Sequence, residues 1–178
     1  MLDTHGREPI GHRARFASVE DGFNIQRPAL EPRAFDAERD RALDPATPSG
    51  AILLDMRDTL MTPYPATTPL LLAKFLRIRA GEEIRVRLKA SAEIYYVLQG
   101  RGSSEQTGGE MLGWDAGDIF CLAGGAETTH RADAGDTVLY SVTDEPLLAF
   151  SGVEPAPLSS APSKIGRASC RERVCLLV

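Results

Sequence analysis

The chain has 178 residues, a formal charge of −5, three histidines and three cysteines. That length suits one domain with extensions. The acidic balance argues against a nucleic-acid or anionic-membrane partner, because both need basic patches to displace counterions. No apolar run approaches the ~18 residues of a bilayer span, and the N-terminus, MLDTHGREPIGHRARF, lacks the apolar core of a secretory signal. The expectation is a cytoplasmic protein.

Residues 1–49 are rich in Pro, Arg, Asp and Glu. They read as an irregular N-terminal arm, with a short helix over 32–42. From residue 50 the texture changes. Short β-prone runs follow at 70–79 (LLLAKFLRIR), 84–89, 94–98, 119–122, 137–142 and 147–152, separated by Gly, Asp, Ser and Pro. Gly100 to Ser104 and Ala116-Gly117-Asp118 read as turns. Short strands without a long 3.6-period segment predict an all-β sandwich or barrel over 50–154. Residues 155–164 read as a linker.

Residues 165–178 stand apart. IGRASCRERVC resembles the translation of a sequencing adapter, so the segment is set aside as a non-native tail. Without Lys164, Arg167, Arg171, Arg173 and Glu172 the remainder is more acidic still, and Cys121 is its one cysteine. A disulfide framework or cysteine metal cluster is then excluded. The same reading implies an interrupted frame from which a second domain is missing.

Two motifs carry a resemblance. Gly81 is followed by five residues, then Arg87-Leu88-Lys89, three residues, Glu93, the six residues IYYVLQ, and Gly100. Further on, Gly117 is followed by DIFCL, then Ala123-Gly124-Gly125, two residues, and Thr128. This spacing resembles the two motifs of the cupin superfamily, with Arg87, Lys89 and Thr128 at the metal-binding histidine positions. Within it the chain looks most like one half of a gentisate 1,2-dioxygenase-like bicupin. The resemblance implies an all-β, cupin-type jelly-roll barrel. It also implies a site with no metal and no cofactor in this domain, any Fe(II) being held elsewhere in a full-length protein, and a homodimer or higher oligomer.

The two-residue period puts Glu93 and Tyr95 on one strand face and Ile94, Tyr96 and Leu98 on the other. Two readings of Glu93 follow. If its face lines the interior, Glu93 pairs with Lys89 or Arg87, because an isolated buried charge is costly. Its carboxyl would then sit below the usual carboxylate pKa. Alternatively Arg85, Arg87 and Lys89 form a solvated face, with Val86 and Leu88 inside, around an apolar and inactive cavity. Arg87, Lys89, Glu93, Tyr95 and His130 are the candidate ligand-binding residues. His130 reads otherwise as a strand-end histidine bonded to Thr128 or Thr129. His12 is the better arm candidate for a missing metal ligand. Trp114 reads as a packing residue and Cys121 as a buried small hydrophobe.

The emptied motifs point to a metal-free structural or small-ligand-binding half of a truncated bicupin. The competing reading is an enzyme, either a gentisate-type ring-cleaving dioxygenase or a metal-free isomerase, acting on a small carboxylate held by Arg87 and Lys89.

Overall fold

A computed structural model describes residues 31–155, apart from Glu110, together with the backbone of Ala168 and Ser169. The expectations for His12 and almost all of the tail lie outside the described residues.

The elements run α1 (Asp36–Leu43), β1 (Gly50–Leu53), α2 (Arg57–Leu60), β2 (Leu72–Ile78), β3 (Glu83–Arg87), β4 (Ala92–Gln99), β5 (Arg101–Gln106), β6 (Met111–Asp115), β7 (Asp118–Ala123), β8 (Glu127–Ala132), β9 (Thr137–Thr143), α3 (Glu145–Ser151) and β10 (Ala168–Ser169). Two antiparallel sheets form, one in the order β1-β2-β9-β4-β7-β10 and the other β3-β8-β5-β6. This is the antiparallel two-sheet arrangement of a jelly roll, as the motif spacing implied.

The apolar side chains explain the layering. Leu76 and Ile78 from β2, Tyr95 and Val97 from β4, Phe120 and Leu122 from β7, and Leu139 from β9 meet Trp114 and Ala132 of the smaller sheet in one core. A second core lies on the other face of the larger sheet. There Ala73, Phe75 and Val138 pack against Ala42 of α1, Ile52 of β1 and Leu54. Strand β2 is therefore buried on both faces, all seven residues of it, which is why its sequence is a near-continuous apolar run interrupted only by Lys74 and Arg77.

Arg77 anchors α1. Its guanidinium is fully buried and donates to the Ala42 carbonyl at 2.9 Å and the Thr47 carbonyl at 2.8 Å, and it pairs with Asp136 at 2.5 Å. The Ala42 carbonyl lies in the last turn of α1, where orphan acceptors need donors. The helix expected near 32–42 thus exists and packs on the sheet.

Three expectations are corrected. Residues 147–152, read as a strand, belong to α3, whose first turn holds Pro146 and whose cap is Gly152 in the left-handed region. Pro near a helix start and Gly just past its end are the ordinary helix punctuation. Residues 100–104, read as a turn, mostly belong to β5. Cys121 lies on the outer face of β7 and is exposed, because Asp118, Phe120 and Leu122 take the inner positions.

Candidate functional site

Toward one end of the inner core the apolar residues give way to polar ones. Glu93 and Tyr95, two apart on β4, both point between the sheets and are fully buried. Their cross-strand neighbours on β9 are Thr143 and Ser141, both buried. From the smaller sheet, Thr128 and His130 of β8 and Ser104 of β5 face the same interior, and each is at most 2% exposed. Tyr95 joins the two sides. Its ring lies 4.9 Å from that of Phe120 and 4.9 Å from the imidazole of His130.

The Tyr95 hydroxyl donates to Glu93 Oε2 at 2.6 Å, while Oε1 has no hydrogen-bond partner. Burial pushes the Glu93 carboxyl up from 4.5 to about 7, against the smaller opposing pulls of the Tyr95 hydrogen bond and the Lys74 charge. Burial likewise pushes the Tyr95 phenol well up, with the Glu93 charge adding to it. Lys74, on β2, is itself buried and paired with Glu145, which also accepts from the Thr143 hydroxyl at 2.7 Å. The nearby cation is therefore already committed to another carboxylate.

His130 is held from the side by Ser104, its cross-strand neighbour, with Ser104 Oγ 2.7 Å from Nδ1. Trp114 Nε1 donates to the same oxygen at 2.8 Å. Burial drives the imidazole down to about 3, so it is neutral over the whole physiological range. Nε2 has no partner.

Of the five candidate residues, the fold brings Glu93, Tyr95 and His130 together and leaves Arg87 and Lys89 out. Arg85, Arg87 and Lys89 line the exposed face of β3 and the residues after it, with Val86 and Leu88 half-buried. Lys89 pairs with exposed Glu154. The internal ion pair of Glu93 with Lys89 or Arg87 is thus overturned. So is the alternative of a purely apolar interior, because Glu93 faces inward on its own strand phase whatever β3 presents. His130 is not a strand-end residue bonded to Thr128 or Thr129. It sits within β8 and is bonded to Ser104. Trp114 does pack in the core, against Phe120 at 6.3 Å between ring centroids, and its indole N–H serves the polar cluster as well.

The reading from sequence missed Ser104, Lys74 and Glu145. Lys74 could have been found, since a lysine inside the run LLLAKFLRIR must find a buried acceptor. Ser104 left no such signal.

An iron centre needs three or so imidazole and carboxylate ligands with open positions beside them. Two of the motif's histidine positions here are arginine and lysine at the surface, and the third, Thr128, is a buried hydroxyl. Among the described residues no group of three His, Cys, Asp or Glu is placed to hold a metal ion. The described residues at the motif positions do not by themselves make an Fe(II) ligand set.

No family model matches the sequence. The chain is 28% identical over 131 residues to the 5-aminosalicylate 1,2-dioxygenase of a Comamonas species, a match covering 70% of this chain and 34% of that protein. Among solved structures, salicylate 1,2-dioxygenase of Pseudaminobacter salicylatoxidans superposes with a TM-score of 0.51 at 22% identity, over 66% of this chain and 34% of that one. A point mutant of the same enzyme in complex with gentisate gives a TM-score of 0.55 at 18% identity, over 71% of this chain and 40% of that one. The chain thus spans only 34% to 40% of the length of these proteins. Among the described residues no helix is long and apolar enough to cross a membrane. The jelly roll, the motif frame and these similarities together relate the chain to the cupin superfamily, as a cupin domain resembling one half of a gentisate 1,2-dioxygenase-like bicupin.

Proposed function

We propose that this cupin domain has exchanged a metal centre for an internal hydrogen-bonded cluster, and that it serves as the structural or small-ligand-binding half of a larger two-barrel protein. One observation carries the reading. Glu93, at the motif's carboxylate position, is fully buried with a neutral phenol as its partner, while the residues at the neighbouring histidine positions lie at the surface.

A structural role is supported by the outer face of β4 and β7. Ile94 (48% exposed), Leu98 (41%) and Ile119 (36%) form an apolar strip there with Cys121. Ile94 and Cys121 lie directly opposite in the ladder, as do Tyr96 and Ile119. A second jelly roll, in the same chain or a second copy, is the surface that would cover such a strip.

Isothermal titration of Fe(II), Mn(II), Zn(II) and Ni(II) into the purified chain, with elemental analysis of the protein as expressed, tests the reading. The expected result is no stoichiometric metal and no saturable uptake. About one metal per chain, lost on His130→Ala, would overturn it.

A further inference from the structure

Strand β7 pairs with β4 along one side, from Ile119 to Ala123. On its other side, among the described residues, it meets only Ala168 and Ser169 of β10, opposite Ile119 and Asp118. The direction of its backbone groups follows from one bond beyond the ladder. The Gly124 N–H donates to the Ser91 carbonyl, and these two residues stand opposite one another, one step past the pair Ala92 and Ala123. Mutually bonded pairs alternate along an antiparallel ladder. Phe120 and Leu122 therefore direct their backbone groups to β4, while Ile119, Cys121 and Ala123 turn theirs to the free edge. Natural sheets guard such an edge with lysine, proline, a bulge or a very short strand. The run Asp118–Ala123, DIFCLA, has none of these, and its one charged side chain is buried, with Asp118 Oδ2 accepting from the Asp115 N–H.

The strand is also complementary to itself. A second copy laid antiparallel about a two-fold axis through Cys121 sets Ile119 against the partner's Ala123, Phe120 against the partner's Leu122 and Asp118 against the partner's Gly124. Apolar residues then meet apolar ones on both faces, and no charge opposes a like charge. All the edge-facing backbone groups of Ile119, Cys121 and Ala123 are used. A slip of one residue would set inner side chains against outer ones. A slip of two would set Ala123 or Ile119 against a turn glycine, the partner's Gly117 or the partner's Gly125. We propose that the β7 edge is a two-fold docking surface for a second copy of this chain, with Cys121 on the axis. The outer strip of Ile94 and Cys121 then runs unbroken from one jelly roll into the next. The inference rests on the structural reading above and names the partner of that strip. Strand β10 uses the same edge groups of Ile119, so it and the second copy exclude one another, and β10 acts as a partial cap.

Sedimentation equilibrium and thiol crosslinking of the full chain test this, with Cys170→Ser and Cys175→Ser leaving Cys121 as the one thiol. Ala168→Pro removes the N–H that β10 offers to Ile119, and it should tighten the dimer about tenfold, the worth of about one backbone hydrogen bond. The two Cys121 Cα atoms should lie about 5.5 Å apart, so the short crosslinker dibromobimane should join them. In Ile94→Cys with Cys121→Ser the thiols lie about 14 Å apart, three strand spacings, and should not be joined. Ile119→Lys, at an exposed position, should return the chain to monomer with its far-UV circular dichroism unchanged. Should that variant fail to fold, the crosslinking pair decides. A monomer at every concentration in Ala168→Pro would overturn the proposal, in favour of a second jelly roll of the same chain over the strip. A dimer that survives Ile119→Lys, or that is not joined at Cys121, would also overturn it. Joining through Ile94→Cys would overturn the register, and equal dimerisation with and without Ala168→Pro would overturn the capping role of β10. The metal reading is untouched by these outcomes, since it falls only to elemental analysis and metal titration.

Discussion

Tyr95 donates its phenolic proton to Glu93 Oε2 at 2.6 Å from two residues along the same strand, and among the described residues this is the one hydrogen bond the buried carboxyl receives. A single neutral donor does not compensate a carboxylate for leaving water, so the interior favours the protonated acid.

Glu93 should therefore make stability fall as the pH rises. Its folded pKa, about 7, lies above its ordinary value of 4.5. Its contribution is fully present below 4.5 and is lost as the pH climbs through 7. Glu93→Gln keeps the shape and removes the titration. Denaturant melts at about pH 5 and pH 8 should show the wild type losing up to about 3 kcal/mol more than the variant between the two. Equal losses would show that Glu93 does not titrate in this window.

His130 acts in the opposite sense. Its folded pKa, about 3, lies below the ordinary 6.5, so the folded state loses stability as the pH falls below 6.5 and the unfolded chain takes up the proton. In the Glu93→Gln background, where the carboxyl no longer offsets it, stability should decline steadily from about pH 6.5 to about pH 4. Adding His130→Asn should flatten that decline. A slope unchanged by His130→Asn would assign it to other groups.

Arg87→Ala and Lys89→Ala should each change stability by less than about 1 kcal/mol, since both side chains are exposed. A fall of several kcal/mol in urea melts of either variant would restore the internal ion pair that the fold excludes.

Arg77→Met removes three contacts that hold the segment from α1 to Thr47 against the larger sheet, and it leaves Asp136 without its buried partner. A loss of about 3 to 5 kcal/mol is expected, together with faster amide exchange in Asp36–Leu43 than in β9. Unchanged exchange in α1 would show that the Ala42 and Ile52 packing alone secures it.

How legible the molecule was in its sequence follows from what faces inward on each strand. Strands β2, β4, β7 and β9 put Leu76, Val97, Phe120 and Leu139 into the core, and their apolar runs announce them. Strand β5 turns Gly102, Ser104 and Gln106 inward, and β8 turns Thr128, His130 and Ala132. With small or polar residues on the buried face there is no apolar alternation to read, so β5 and β8, which bring Ser104, Thr128 and His130 to the polar cluster, were missed. The motif glycines were legible because the backbone requires them. Gly100 has φ 91°, and a Cβ there would collide with Thr137 Oγ1. The partner of Glu93 was not legible, because pairing it with Lys89 or Arg87 assumed a strand phase that β3 does not adopt. The geometry that decides the matter lies in β2, where the buried Lys74 turns to Glu145 instead.

The carboxyl carbon of Glu93, followed by ¹³C NMR through a pH titration of the purified chain, tests most directly whether this interior is a hydrogen-bonded cluster or a cation site. The account predicts a single titration centred near pH 7, moving to higher pH in Lys74→Met as the one attractive charge is withdrawn. A carboxyl that remains ionised to below its ordinary 4.5 would mean that a cation or metal holds it, and would contradict the account.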